Sequence, residues 1–369
     1  MASGEIGALR FGVRRMTDFR HLARRIGQRL EETGARGASA GRTPPRIEAY
    51  LGYANGTEAF VSGRILANAP VGEAGEADPW WRNLLNTYRR METDETPGVR
   101  LRIALADSRV EAVSDEEGHF RARVPLRRPL PDAPRWHGAD IRLVPPVGVD
   151  WPDVKTSAAV LVPTANAGFG VISDMDDTVL ETHATRPIRM MRTVLFENAR
   201  TRRPFRGVPG FYAQLERGAG QRGPNPFFYL SSSPWNLHDV LVAFMEHNRI
   251  PVGPLLLKDW GLGDPGAPRS THRQHKLARI EHLFGVYPSL PFVLIGDNGQ
   301  ADPAIYAETA AHHPDRVLAI YIRRVADDAR RMRELGRCRE RVAAEGIRFC
   351  AFRDTGEARE DAAAAGLVE

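Results

Sequence analysis

The 369-residue chain is 42% hydrophobic and 26% charged, the balance of an ordinary soluble globular protein with length enough for two cores, and no run approaches the roughly 18 apolar residues of a membrane span. Its formal charge of +5 sits in residues 1–42, where nine arginines face four acids, while the other 42 basic and 42 acidic residues cancel; a nucleic-acid surface spread over the protein is not expected. Cys338 and Cys350 lie late with no Cys or His pattern around them, so neither a disulfide framework nor a zinc site is suggested, and with no apolar leader core after Met1 the expected location is cytoplasmic.

In chain order, residues 1–45 read as a basic arm and linker. Phe19, Leu22, Ala23, Ile26 and Leu30 recur at helical spacing among Arg20, Arg24, Arg25 and Arg29, so the arm is either a basic helix for peripheral contact with an anionic membrane or a helix docked on the protein with its arginines solvated. Residues 46–166 read as a small β-sandwich of short strands. Arg46–Ala54 and Thr57–Ala67 flank Asn55-Gly56, a dipeptide that suits tight hairpins because both positions tolerate positive φ. An aromatic helical pattern, Pro79–Met91, interrupts these strands.

From residue 167 to 369 apolar strands alternate with helical patterns, which predicts βα units and a parallel sheet of α/β class. The expected strands are Phe169–Ser173, Phe227–Leu230, Pro254–Leu257, Phe292–Ile295 and Val317–Ile322. A charged, arginine-rich helical extension follows from residue 326 to 345, and the apolar run Ile347–Phe352 comes after it.

The first of these strands runs straight into Asp174-Met175-Asp176-Asp177-Thr178. Residues two apart in extended chain point the same way, so Asp174 and Asp176 converge, with Thr178 further along. Two converging carboxylates repel unless a cation or proton lies between them, and a divalent metal is the natural partner. Ser231-Ser232-Ser233 closes the next strand, Lys276 opens a helix, and Gly296-Asp297-Asn298-Gly299-Gln300-Ala301-Asp302 closes a later strand. Taken alone, Asp174 and Asp176 have a lesser reading as an acidic turn capping the following helix, and for Asp177 capping is as good a reading as a supporting role; beside Ser231, Lys276 and Asp297 the cap reading of the first two falls away.

That order, D-x-D-x-T, then a strand-terminal Ser, then Lys, then G-D-x-x-x-x-D, resembles the haloacid dehalogenase superfamily. The wider strings D-M-D-D-T, L-S-S-S-P-W-N-L, L-L-K-D-W-G, H-K-L-A-R-I and L-I-G-D-N-G-Q-A-D-P-A-I-Y are similar to the catalytic domain of the Mg-dependent phosphatidate phosphatase family first named for an actin-patch protein, over residues 171–325. The resemblance implies a Rossmann-like haloacid-dehalogenase sheet with a minimal cap, Mg2+ as cofactor and a lipid phosphate as substrate. Yeast-type extensions for actin-associated partners are absent from the sequence.

The chemistry then assigns roles. Asp174 is the expected nucleophile, forming an aspartyl-phosphate, and Asp176 the acid and base that protonates the leaving oxygen and later activates water. Asp174, Asp297 and the carbonyl of Asp176 are the expected Mg2+ ligands. Ser231 donates to a phosphoryl oxygen, Lys276 offsets the crowded charge, and Asp302 orients either the metal's waters or Lys276. Lys258, at the end of Leu255-Leu256-Leu257, competes for that charge-balancing place; Lys276 is preferred because its helix leads directly into the metal-binding strand.

The insert between Thr178 and Phe227 holds one helical pattern, Ile188–Phe196, and is too short for a full cap domain. An open site suits a large or surface-held substrate, and Arg186, Arg189, Arg192, Arg202, Arg203 and Arg206 would face its anionic headgroup or simply be solvated. The reading is a cytoplasmic lipid phosphate phosphatase, peripheral at the membrane. Its alternatives are a phosphatase for a nucleotide, sugar or protein phosphate, and a non-catalytic adaptor.

Overall fold

A computed structural model describes residues 44–67, 96–175, 204–220, 223–258 and 272–369. The arm, the aromatic pattern Pro79–Met91 and most of the insert after Met175 lie outside the described residues. The described residues fall into two compact units, which divide between Pro163 and Thr164.

The first unit holds β1 (Arg46–Ala49), β2 (Gly52–Ala54), β3 (Glu58–Leu66), β4 (Arg100–Leu105), β5 (Ser108–Val113), β6 (His119–Pro125), β7 (Trp136–Val144) and β8 (Lys155–Leu161). The Asn55-Gly56 turn joins β2 to β3, and Asn55 Oδ1 secures it by accepting from the backbone N–H of Thr57 and Glu58, both at 2.8 Å. The single strand expected over Arg46–Ala54 is broken at Tyr50-Leu51. β1 pairs with the far end of β3, whereas β2 pairs with its near end and, in parallel, with β8.

Because β2 bridges β3 and β8, hydrogen bonds connect all eight strands as one sheet, a mostly antiparallel β unit more coarsely defined than the two-sheet sandwich expected. Alternation sets the core side of each strand: in β4, Leu101, Ile103 and Leu105 are buried while Arg100 and Arg102 are exposed. These residues join Ile47, Val61, Ile65, Phe120, Val124, Ile141 and Val160 in one apolar cluster.

The second unit runs β9 (Gly170–Asp174), α1 (Val208–Arg217), β10 (Phe227–Pro234), α2 (His238–His247), β11 (Leu255–Lys258), α3 (His272–Val286), β12 (Phe292–Asp297), α4 (Asp302–His312), β13 (Val317–Arg323), α5 (Ala329–Ala344), β14 (Arg348–Phe352) and α6 (Thr355–Ala364). The sheet is parallel, in the order β11-β10-β9-β12-β13-β14. Every residue of β9 and β12 is buried, as central strands covered on both faces require. Strand order reverses between β9 and β12, and in open parallel sheets a crevice forms outside the carboxyl ends at such a point.

Asn225, fully buried, holds β9 in place from its entry end: its Oδ1 accepts from Gly168 N at 2.9 Å and its Nδ2 donates to Leu215 O at 2.8 Å. Helix α2 buries Val240, Leu241, Phe244 and Met245, and α3 buries Ile280, Leu283 and Phe284, the apolar stripes expected from their spacing. The arginine-rich extension forms α5, capped by Asp328, whose Oδ1 accepts from Arg331 N at 3.0 Å.

Candidate active site

Asp174 is the last residue of β9, Asp297 the last of β12 and Asp302 the first of α4. All three side chains are 0% exposed, and each offers an oxygen within 4.8 Å of the others. Lys276 enters this cluster from the first turns of α3, its Nζ donating to Asp174 Oδ1 at 2.6 Å and to Asp302 Oδ1 at 2.5 Å.

Electrostatics holds the arrangement. Burial by itself would depress the Lys276 ammonium, but Asp174 and Asp302, through charge and hydrogen bonds, more than reverse this and keep its pKa above the ordinary lysine value. The lysine is therefore a fixed cation. Three carboxylates against one ammonium still leave two negative charges without access to water, an arrangement costing several kcal/mol per ion unless compensated. An all-oxygen donor set with that residual charge fits a hard divalent cation such as Mg2+, and Asp174, Asp297 and Asp302 are the described side chains that could hold it.

The loop after β12 is shaped around Asp297. Its Oδ1 accepts from Gly299 N at 2.6 Å and Gln300 N at 3.2 Å, two charge-assisted bonds that stabilise the anion and aim the carboxylate. Gly296 is required by close approach: a Cβ there would sit 2.5 Å from Asp302 Oδ2 and 2.8 Å from Tyr306 Cε2. Tyr306, one helical turn after Asp302, donates to Ile295 O at 3.1 Å. Burial first, then the Asp302, Asp174 and Asp297 carboxylates, push its phenol well above the tyrosine value, so it remains a neutral donor.

Ser231 is buried in β10 just beyond Leu230, the residue paired with Asp174. Its Oγ accepts from Ser233 N at 3.0 Å and donates to Ser233 Oγ at 2.8 Å, which fixes the hydroxyl at the carboxyl end of the sheet. Lys258 ends β11 at the same end, while the described ammonium contacts to Asp174 and Asp302 come from Lys276. Asp176, Asp177, Thr178 and five of the six insert arginines lie outside the described residues; the sixth, Arg206, receives the Thr355 hydroxyl on its backbone carbonyl at 2.8 Å.

Three contacts were not anticipated from sequence. Ser173, fully buried beside Asp174, donates to Asp174 O at 2.9 Å and shares a hydrogen bond with Tyr212 of α1 at 2.7 Å. Burial raises the Tyr212 phenol above its usual value, outweighing the opposing Ser173 hydrogen bond. Asn298 Oδ1 accepts from Val325 N at 2.8 Å and Ala326 N at 3.0 Å, and its Nδ2 donates to Ala326 O. Arg323, at the end of β13, lies between the rings of Phe205 at 4.3 Å and Phe352 at 4.9 Å, with Nη2 donating to Thr355 Oγ1 at 3.0 Å. Only a Ser next to the first Asp and an Asn next to the second marked these in the sequence; their partners are distant along it.

With this geometry in hand, residues 169–324 match the family described as phosphatidate phosphatase APP1, catalytic domain. Phosphatidate phosphatase APP1 of Saccharomyces cerevisiae is 33% identical over 156 residues, 42% of this chain and 26% of that protein. An uncharacterized protein of Schizosaccharomyces pombe is 32% identical over 168 residues, 44% of this chain and 26% of its own length. The chain thus spans about a quarter of the length of these curated relatives. The crystal structure of a carbohydrate acetylesterase from Xanthomonas citri aligns over 87% of this chain and 73% of its own at 11% identity, with a TM-score of 0.31 that carries no argument. All of the described site residues, Asp174, Ser231, Lys276, Asp297 and Asp302, fall inside the APP1-type segment, whereas α5, β14 and α6 lie beyond it.

Proposed function

We propose that this chain is a Mg2+-dependent phosphomonoester hydrolase of haloacid-dehalogenase type, acting on phosphatidate or a closely similar lipid phosphate. The observation that carries the reading is the buried Asp174–Lys276–Asp302 network beside Asp297. Its support comes also from the APP1-type match over the same residues and from the reversal of strand order between the two strands that end in Asp174 and Asp297.

In this reading a carboxylate oxygen of Asp174 attacks phosphorus as the ester P–O bond breaks, and Asp176 gives its proton to the departing alkoxide. Water then attacks the phosphorus of the aspartyl-phosphate, its proton passing to Asp176, as the bond from phosphorus to the Asp174 oxygen breaks; inorganic phosphate leaves, Asp174 is again a carboxylate and Asp176 again an acid. Lys276 keeps Asp174 ionised and in line, and Asp302 fixes Lys276. Ser231 donates to a phosphoryl oxygen. Asp174, Asp297 and the Asp176 carbonyl would hold Mg2+, which when bound masks the phosphate charge that would otherwise repel the attacking carboxylate.

The test is phosphate release from phosphatidate in mixed micelles, with Mg2+ or EDTA, for wild type and Asp174→Asn, beside a panel of water-soluble phosphate esters. Metal-dependent release from the lipid, lost in the variant, is the expected result. Release from soluble esters alone removes the lipid assignment, and no release from any substrate removes the enzymatic one.

A further inference from the structure

Helix α5 carries a charge pattern that nothing in the described fold uses. Between Ala329 and Ala344 it holds six arginines and two acids, Glu334 and Glu340. Its inward face is accounted for by the buried Leu335, Cys338 and Val342. Arg330, Arg333, Arg337 and Arg341 fall at i, i+3, i+7 and i+11, which puts them along one strip of the helix roughly 16 Å long. All four are exposed.

Several exposed arginines elsewhere in the described residues stand against carboxylates. Arg102 meets Glu111, Arg123 meets Glu58, Arg142 meets Asp153, and Arg353 shares Asp327 with Arg324. On α5 only Arg331 does so, with Asp328. None of the four strip arginines has a carboxylate partner among the described residues. Like charges four residues apart, Arg333–Arg337 and Arg337–Arg341, destabilise a helix, so an external anionic surface would relieve this strip.

The position of the strip matters as well. Helix α5 starts directly after β13 at the end of the sheet where Asp174 and Asp297 lie, and Arg331 Nη1 is 3.7 Å from where a Cβ on Gly299 of the Asp297 loop would be. Its first turn is therefore adjacent to the candidate site. We infer that the Arg330–Arg333–Arg337–Arg341 strip docks the protein on an anionic phospholipid bilayer and brings the site to a lipid phosphate there. The choice of a bilayer rests on the function proposed above: a lipid phosphate has to be taken from a surface, and no described helix is long and apolar enough to cross a membrane. A single line of four arginines bordered by Glu334 and Glu340 is also narrow for a duplex nucleic acid, whose recognition spreads many phosphate contacts over a face.

The experiment is sedimentation of the full chain with vesicles of phosphatidylcholine alone or of phosphatidylcholine with about one third phosphatidylserine, at low and physiological salt. Wild type is compared with R330Q/R333Q/R337Q/R341Q and with the same four positions changed to lysine. Each basic side chain near an anionic leaflet is worth roughly a fivefold factor, so the glutamine variant should lose at least tenfold in affinity for the anionic vesicles. The lysine variant should keep most of it, and wild type should bind less as salt rises. Hydrolysis of a water-soluble phosphate ester should be equal in all three, which also shows that the variants are folded. Equal vesicle binding by wild type and the glutamine variant, or no preference of wild type for the anionic vesicles, overturns the inference. So does displacement of the vesicles by duplex DNA at equal phosphate concentration. Failure of the functional reading looks different: strip-dependent vesicle binding with no phosphate released from phosphatidate.

Discussion

Asp174 and Asp297 end neighbouring parallel strands within one residue of the same height, the register aligning Ser173 with Ile295, on the two sides of the point where strand order reverses. No helix crosses the sheet between two such strand ends, so both carboxylates reach one crevice.

Asp297→Asn keeps both backbone hydrogen bonds to Gly299 and Gln300 within reach of the side-chain oxygen while removing one negative charge. Phosphate release should fall by at least about a hundredfold and the Mg2+ needed for half-maximal rate should rise by about tenfold or more. A Mg2+ titration of initial rates measures both, and an unchanged Mg2+ requirement would remove Asp297 from the metal site.

Lys276→Met leaves Asp174 and Asp302 facing each other without a cation. Removing one partner of a buried ionic network costs about 3–5 kcal/mol, so the melting temperature should drop by several degrees. Mg2+ supplies compensating charge, and the gap between variant and wild type should narrow when it is added. Calorimetry with Mg2+ and with EDTA decides the matter; a gap indifferent to metal would mean that the lysine and the ion do not share these carboxylates.

Gly296→Ala puts a methyl group 2.5 Å from Asp302 Oδ2. Overpacking of this kind costs about 1–3 kcal/mol, and because the atom displaced is the one next to the Lys276 contact, activity should suffer more than stability. Chemical denaturation run beside kinetics would show it. A fully active Gly296→Ala protein would mean that Asp302 can move without consequence.

Tyr212→Phe removes the phenol that meets Ser173 and leaves the Ser173 hydroxyl bonded to Asp174 O. Loss of one buried hydrogen bond costs about 1 kcal/mol, and if the pair positions Asp174 the effect should appear in kcat with KM unchanged. A change confined to stability would make the contact purely structural.

Cys350 is half-buried in β14, and burial, then Asp361 and Glu357, push its thiol up to about 12. A raised pKa favours the neutral thiol in the folded protein, so any stability it gives is complete below the unfolded value, about 8.5, and is lost as pH rises from there toward 12. At pH 8 Cys350 should react with a disulfide reagent at least a hundredfold more slowly than a free thiol. Kinetics of labelling in native buffer and in denaturant test this; comparable rates would contradict it.

Much of the site was legible in the sequence because it is built from strand ends. A buried run followed at once by Asp, or by Gly-Asp, announces both the element and the rim it reaches, and this is how Asp174 and Asp297 could be placed before any fold was known. Lys276, which meets Asp174 and Asp302, could be picked out for a similar reason, since the helix that carries it feeds the strand ending in Asp297. Asp302 was seen, but the sequence left open whether it served water or lysine; the 2.5 Å contact to Lys276 belongs to the folded chain alone. Tyr212 and Asn298 were not read as contributors, because each acts through a partner reached only after a helix or strand has crossed the sheet. In the first unit, alternation gave the strands but not their connection, since the parallel β2–β8 seam that joins them leaves no mark on either strand.

The Asn298 amide has one further consequence. Its three hydrogen bonds run from the Asp297 loop to Val325 and Ala326, and those residues lie just past the last one shared with the APP1-type family, 324. The family match therefore stops one residue short of the atoms that brace the loop, and β14, whose five residues zip along β13, stands wholly outside it. A fragment trimmed to the shared region would bare the flank of a buried strand and release the brace together.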